Sequence, residues 1–379
     1  MSRIRVHHVI TSLGSDGAQA MLIKLLSRMD RANFSLSVTS LIDYTPLARQ
    51  LLDMGIPVDT LGMKRGSPSP KAVFRLASKL RANPPDLLQT WMYHADLIGA
   101  LAAKTAGNIP TVWNIRHSDL SPKANSRSTL VAARICAWLS PFLPKAILCC
   151  AESARVSHTN LGYSRDKIHI IPNGFDTGKF VPDSQARLKL TKDLRLPENA
   201  IIVGLVARYH PQKDHRNFIE AARIASERNP MLRFVLCGDR VDAANIDLVT
   251  DLEKSGLLSR VSLMGLREDI ASVTAGFDIA TSSSRGEGFP NAIGEAMSCA
   301  VPCVVTNVGD SALLVGDTGS VVPPAVPEAL ANAWHAVAEL GASGRKALGL
   351  RARQRILDKF GLDSVARQYE EVYNSILLR

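Results

Sequence analysis

Apolar residues come along this chain in two rhythms. Short runs rich in Val, Ile and Leu, at 3–10, 34–42, 58–61, 87–90, 111–115 and 146–150, alternate with longer stretches in which apolar positions recur every three or four residues, as at 45–54, 71–82 and 95–106. The first rhythm predicts strands and the second amphipathic helices. After a polar interval at 183–199 the alternation restarts, with strands predicted at 201–207, 233–237, 261–264, 277–281 and 301–306, and a helix over 218–225. Three helical patterns close the chain, at 328–340, 345–360 and 362–378. Alternating strands and helices imply parallel, doubly wound sheets, and two rounds of them imply two Rossmann-like domains. We place the boundary near Pro172, where Asn173-Gly174 provides a turn: 1–172 for the first domain, 173–360 for the second, and 361–379 for a last helix.

The stretch with most chemistry runs from 281 to 306, TSSSRGEGFPNAIGEAMSCAVPCVVT. It reads as loop, helix and strand. Ser and Gly crowd 282–288, Pro290 suits a first helical turn, and 301–306 is an apolar β-branched run, so a helix is expected to begin just after Glu287. A helix start offers unpaired amides and the positive end of a dipole, and Gly286 and Gly288 let backbone approach a ligand, a combination suited to a phosphate. Glu287 and Glu295 flank that anion site. Two further features follow predicted strands, where doubly wound sheets keep their ligand crevice. His94 and His117 come after the strands at 87–90 and 111–115, each also compatible with a histidine that only caps the next turn. Arg208 and Lys213 come after the strand at 201–207, and the chain has no Asp-x-Asp metal motif.

Composition narrows the class. At 379 residues, 46% hydrophobic, with a mean hydropathy of +0.04, the chain suits two soluble α/β domains. Its six cysteines have no Cys-x-x-Cys or zinc spacing and read as buried thiols of a reducing, cytoplasmic compartment. No apolar run approaches the roughly 18 residues of a membrane span, and residues 1–14 read as a first strand rather than a signal peptide. Charge is uneven: residues 1–172 carry 21 Lys and Arg against 10 Asp and Glu, whereas the chain as a whole carries only +10. A surplus of that kind calls for a polyanionic partner. No nucleic-acid-binding motif accompanies it, so an anionic membrane surface is expected and nucleic acid is not. The region 122–145, with Lys123, Arg127, Arg134 and Lys145 among Leu130, Trp138, Phe142 and Leu143, reads as a basic amphipathic helix able to lie on such a surface, or as an ordinary helix packed on its domain.

Glu-x7-Glu with Gly-Phe-Pro-Asn directly after the first Glu, together with Arg-x4-Lys after a strand and Pro-Asn-Gly-x-Asp at 172–176, resembles the retaining GT-B glycosyltransferases of family GT4. The resemblance covers most of the chain. It implies a GT-B fold, two Rossmann-like domains facing across a cleft, with the acceptor on the first and the nucleotide sugar on the second. It implies that Glu287 contacts the donor sugar, Glu295 the ribose, and the backbone of Gly288, Phe289, Pro290 and Asn291 the diphosphate. It gives Arg208 and Lys213 the diphosphate clamp in place of a metal, Leu266 and Arg267 the base through their backbone, and Gly238 a place at the donor site. His117 falls near the reacting sugar and His94 toward the acceptor. Gly17 belongs to a glycine loop that lies under the donor phosphates in the family; here Asp16 and Gln19 depart from the Gly-Gly-Ala-Glu pattern. The last helix is implied to cross back onto the first domain.

These implications amount to transfer of a hexosyl or N-acetylhexosaminyl group from a nucleoside diphosphate sugar, UDP before GDP, to a hydroxyl of a lipid-linked glycan in surface-polysaccharide synthesis, without metal or other cofactor, at the cytoplasmic face of the membrane. No carboxylate nucleophile stands out, which favours front-face attack with the leaving diphosphate taking the acceptor proton. A GT-B sugar-nucleotide 2-epimerase and a non-catalytic sugar-nucleotide-binding protein remain as alternatives, the latter because of Asp16 and Gln19.

Overall fold

The computed structural model describes residues 3–14, 17–42, 46–64, 70–122 and 125–378. Asp16, Thr45 and Lys123, which entered the sequence reading, lie outside them. The chain divides into two compact units, Met1–Gly174 with Leu362–Arg379, and Phe175–Gly361.

Among the described residues the first unit has seven strands: β1 (Ile4–Ile10), β2 (Phe34–Ser40), β3 (Val58–Thr60), β4 (Leu87–Trp91), β5 (Thr111–Ile115), β6 (Ala146–Cys149) and β7 (Ile168–Ile170). They lie in the order β3-β2-β1-β4-β5-β6-β7, every pairing parallel. Every residue of β4, β5 and β6 is buried, which explains why these segments read as apolar runs without alternation: helices cover both faces. β7 is not among the strands expected from the sequence, where only the turn at Asn173-Gly174 just beyond it is signalled. It is a short edge strand with two of its three residues exposed, so it lacks the apolar signature of its neighbours.

The helix Leu362–Leu377 belongs to this unit. Val365, Tyr369 and Tyr373 recur every four residues and so share one helix face, buried in the same core as Leu22, Leu26 and Phe34. Tyr369 stacks on Trp91, and its hydroxyl accepts hydrogen bonds from Asn114 Nδ2 at 2.9 Å and Arg116 at 3.1 Å. The predicted basic helix is shorter than 122–145: it runs Arg127–Leu139, starts on the Ser126 cap, whose Oγ accepts from the Thr129 amide, and ends before Pro141. Ala132, Ala133, Cys136 and Ala137 form its buried face.

The second unit has six strands: β8 (Ile201–Val206), β9 (Leu232–Cys237), β10 (Val261–Leu263), β11 (Ile279–Ser282), β12 (Cys303–Thr306) and β13 (Gly319–Val322). Their order is β10-β9-β8-β11-β12-β13, again all parallel. Phe218, Phe234 and Trp334 cluster on one side of this sheet, and Phe175, Phe289 and Phe360 on the other. All six cysteines are buried and none forms a disulfide. No helix among the described residues is long and apolar enough to cross a membrane.

Candidate functional site

In each sheet the chain winds first one way and then the other. The reversal lies between β1 and β4 in the first unit and between β8 and β11 in the second. Connections diverge at such a point and leave a crevice beyond the carboxyl ends of the two strands. In the second unit that crevice is flanked by the segments 207–214 and 283–290, which carry Arg208 and Lys213 on one side and Glu287 on the other.

These two segments are fastened together. The Arg285 amide donates to the Gln212 carbonyl at 2.8 Å, and Ser283 Oγ to the Lys213 carbonyl at 2.9 Å. The Arg285 guanidinium pairs with the carboxylate of Asp214. Asp214 has a left-handed backbone, φ 48°, and its side chain caps the helix His215–Arg228, so one residue ends the clamp loop, starts the helix and anchors the opposite loop. Across the crevice Lys213 Nζ lies 2.5 Å from Glu287 Oε1, and Ser284 Oγ donates to the same oxygen at 2.6 Å. Oε2 of Glu287 takes no hydrogen bond from any described residue. The Glu287 side chain is 10% exposed and that of Lys213 26%, so a charge pair in a half-dry crevice keeps one carboxylate oxygen for something else. A small cleft of ≈ 30 Å³ here is lined by Lys213, Ser282, Ser284, Glu287, Pro290 and Asn291, among others.

The helix after the loop starts later than its sequence suggests. It runs Asn291–Ser298, with Pro290 as the residue before it at φ −78° and ψ 91°, so 288–290 are loop rather than a first turn. The reason is Phe289. Its ring is buried, stacked on Phe175 at 6.0 Å and tilted against Phe360 at 5.7 Å, and that insertion holds the chain out of helical conformation ahead of Asn291. As a donor-site residue Phe289 therefore has only its backbone to offer. Two glycines complete the frame. A Cβ on Gly294 would stand 2.0 Å from the Phe175 ring, and one on Gly309, at φ 54°, only 2.3 Å from the Glu287 carbonyl oxygen. Glu295 is half-buried, four residues beyond Asn291 and so on the same helix face.

The remaining second-unit candidates line the neighbouring strand ends. Arg208 is exposed, with no acidic partner among the described residues. Gly238 has φ 150° and packs so tightly on the Ala207 peptide that a Cβ would lie 2.1 Å from its oxygen. The Gly238 amide donates to the Gly265 carbonyl at 2.9 Å, which brings the ends of β8, β9 and β10 together. Beyond Gly265, Leu266 is 80% exposed and Arg267 pairs with Asp269 at 2.8 Å. The structure thus gathers Lys213, Glu287, Pro290 and Asn291 around one cleft and sets Arg208, Gly238, Leu266 and Arg267 along the adjoining edge.

His94, His117 and Gly17 belong to the first unit. His94 opens the helix Tyr93–Gly107 beside the β1/β4 reversal, half-buried, and burial lowers its pKa. His117 follows β5, and its Nε2 is buried without a hydrogen-bond partner. Gly17 is the exposed first residue of the helix Gly17–Leu26, where a Cβ would meet nothing within 4 Å, so packing does not demand glycine there. Gln19 is buried and donates to Ser12 Oγ at 3.3 Å.

Ser283, Ser284, Arg285 and Asp214 went unnoticed in the sequence. The run Ser282-Ser-Ser-Arg285 signals only loop, and its hydroxyls acquire partners when β8 and β11 become neighbours. Among the described residues no group of three His, Cys, Asp or Glu converges as metal ligands would.

Comparison with known proteins agrees with this frame. The model for Glycosyltransferase Family 4 matches residues 15–179, and that for Glycosyl transferases group 1 matches 200–339. The UDP-Gal:alpha-D-GlcNAc-diphosphoundecaprenol alpha-1,3-galactosyltransferase of Escherichia coli is 30% identical over 65% of this chain and 64% of its own length, so the match spans just under two thirds of that relative. The putative glycosyltransferase EpsF of Bacillus subtilis is 25% identical over 81% of this chain and 80% of its own. Among solved structures, Anabaena HepE in complex with UDP superposes with a TM-score of 0.84 over 98% of this chain and 100% of its own at 22% identity, a likeness of fold. Two Rossmann-like units, family models over both of them and these relatives lead to one conclusion: the chain belongs to the group 1 glycosyltransferases of family GT4, with the GT-B fold.

Proposed function

We propose that this protein transfers a hexosyl or N-acetylhexosaminyl group from a nucleoside diphosphate sugar, UDP in preference to GDP, to a hydroxyl of a lipid-linked glycan, with retention at the anomeric carbon. The observation that carries the reading is the Lys213–Glu287–Ser284 arrangement at the β8/β11 reversal, beside a helix start. Lys213 and Ser284 hold Oε1 of Glu287 and leave Oε2 to accept from sugar hydroxyls. Lys213 has further protons to direct at the diphosphate, which Arg208 meets as a second cation, with the helix dipole and the backbone of 288–291 beside them. Glu295 takes the ribose, backbone at Leu266 and Arg267 takes the base, and the Gly238 and Gly17 turns let phosphates approach. The two cations neutralise the charge that grows on the departing diphosphate, so the reading assigns no metal. That diphosphate takes the proton of the attacking hydroxyl on the same face of the sugar. His117 serves the reacting sugar and His94 the acceptor, on the first unit.

Support for UDP comes from HepE, solved with UDP and with UDP-glucose, and for a lipid-linked acceptor from the E. coli relative, whose name specifies a diphosphoundecaprenol. The basic surplus of residues 1–172 fits a protein peripheral to an anionic, cytoplasmic membrane face in polysaccharide assembly. A thermal-shift panel of UDP, GDP, ADP and their sugars, with and without EDTA, tests the reading, since a bound ligand raises the melting temperature. We expect UDP and a UDP-sugar to shift it and EDTA to leave the shift unchanged. No shift with any nucleotide would remove the donor site, and a shift abolished by EDTA would remove the metal-free clamp.

A further inference from the structure

The first unit contains a cavity that the donor chemistry does not use. It measures ≈ 540 Å³ and lies beyond the carboxyl ends of β1 to β4, against the helix Arg127–Leu139. Leu41, Met63, Leu97, Ala132 and Ile135 form much of its apolar wall, and seven of its fifteen lining residues are polar: Lys64, His94 and five serines and threonines. That is the size of a small-molecule site, and the surface it offers is mainly hydrocarbon, which suits an apolar chain better than a bare sugar, most of whose hydroxyls need partners.

The outside of the same helix is unusual in a second way. Val131, Ile135, Trp138 and Phe142 are 52%, 39%, 74% and 76% exposed. Val131, Ile135 and Trp138 share one helix face by their spacing, and Phe142 lies in the turn that follows the helix, where its amide donates to the Leu139 carbonyl at 3.0 Å. Val131 and Ile135 line the cavity as well, so an apolar path runs from the exposed aromatics into the interior. Exposed Arg127, Arg134 and Lys145 border the ridge, on a unit with a large cationic surplus.

We propose that this cavity binds the hydrocarbon chain of the acceptor itself, a prenyl or acyl amphiphile bearing phosphate, which enters over the Val131–Phe142 ridge. Apolar walls select the chain, the cationic border selects an anionic head, and exposed Trp138 and Phe142 suit the boundary between a lipid leaflet and water. His94 then lies where chain and head meet. The proposal rests on the lipid-linked acceptor of the proposed function and adds where the lipid part is held.

Calorimetric titration of the full chain with hexyl, octyl and decyl phosphate below their micellar concentrations tests it, with inorganic phosphate as the head alone. Each added methylene should tighten binding about fourfold, roughly 250-fold over the four methylenes from hexyl to decyl. Ala132→Phe, which fills the cavity, and Ile135→Arg, which puts a charge at its entrance, should each flatten that dependence while leaving the nucleotide-induced thermal shift unchanged. Should Ala132→Phe fail to fold, Ile135→Arg, at a partly exposed position, decides alone. Affinity independent of chain length, or the same dependence in folded variants, overturns the proposal. The titration needs no donor, so the two readings fail separately: a cavity-dependent chain effect without transfer to any prenyl-linked acceptor leaves the site standing and removes the proposed reaction, and transfer without a chain effect does the reverse.

Discussion

Gly309 offers a direct way to move Glu287 without touching its side chain. It follows β12 at φ 54°, and its Cα faces the loop that carries the carboxylate: a Cβ would lie 2.3 Å from the Glu287 carbonyl oxygen and 2.6 Å from that of Gly288. Gly309→Ala therefore meets three costs. A left-handed alanine costs about 1–2 kcal/mol. Forcing backbone apart in a packed site adds about 1–3 kcal/mol. Displacing the loop strains the bond from the Asp310 amide to the Gly288 carbonyl, now 3.0 Å, worth about 1 kcal/mol. Relief by partial movement leaves an expected loss of about 3–5 kcal/mol, or on the order of 10 °C in the melting of a unit this size. The response to nucleoside diphosphate should disappear with it. Gly286→Ala, on the same loop as Glu287, is the control: its φ is not left-handed and the nearest atom to a new Cβ is Gln212 Nε2 at 3.9 Å. Differential scanning fluorimetry of both variants, with and without UDP, reads the outcome. A Gly309→Ala protein that melts with the parent, or a Gly286→Ala protein equally damaged, would refute the reasoning.

Three other outcomes are expected. Arg208→Ala and Lys213→Ala should each weaken binding of a nucleoside diphosphate roughly tenfold more than that of the nucleoside, measured by calorimetry, as loss of a charge-assisted hydrogen bond implies; equal losses would show that neither cation meets the phosphates. Ser284→Ala removes the 2.6 Å bond to Glu287, at a buried position, and should lower stability by about 1–2 kcal/mol and donor turnover about tenfold; unchanged turnover would separate Ser284 from the placement of the carboxylate. His158 is buried, donates through Nδ1 to the Ala154 carbonyl at 2.7 Å, and accepts at Nε2 from the Tyr93 hydroxyl at 2.8 Å, while burial lowers its pKa to about 4. The unfolded chain thus binds the extra proton first, and stability should fall as pH drops from about 6.5 to 4, by up to roughly 1.4 kcal/mol per pH unit from this residue. Melting curves of His158→Gln should show a shallower fall over that window; an identical slope would contradict the assignment.

Fold class was legible because period is local. The apolar runs of β4, β5 and β6 and the three-to-four-residue recurrence of the helices are written in consecutive residues, and alternation alone implies parallel winding. Glu287, Lys213 and the glycine-rich loop were legible for a similar reason, since each follows a strand in a short, distinctive run. Helix onset at Asn291 was not, because Phe289 is held by Phe175 and Phe360, which come from distant parts of the chain. Nor was β7, a three-residue edge with little to bury. What had to wait for the tertiary structure is everything that depends on strand order. Placing β8 beside β11 turns a plain Ser-Ser-Ser-Arg run into a fastening between two loops and a hydrogen bond on a carboxylate. Laying the helix Arg127–Leu139 against the ends of β1 to β4 makes an apolar cavity from residues as far apart in the chain as Thr11 and Ile135. Residue type and spacing set the kinds of element and the charges available, whereas partners arise only when packing brings distant segments within hydrogen-bond reach.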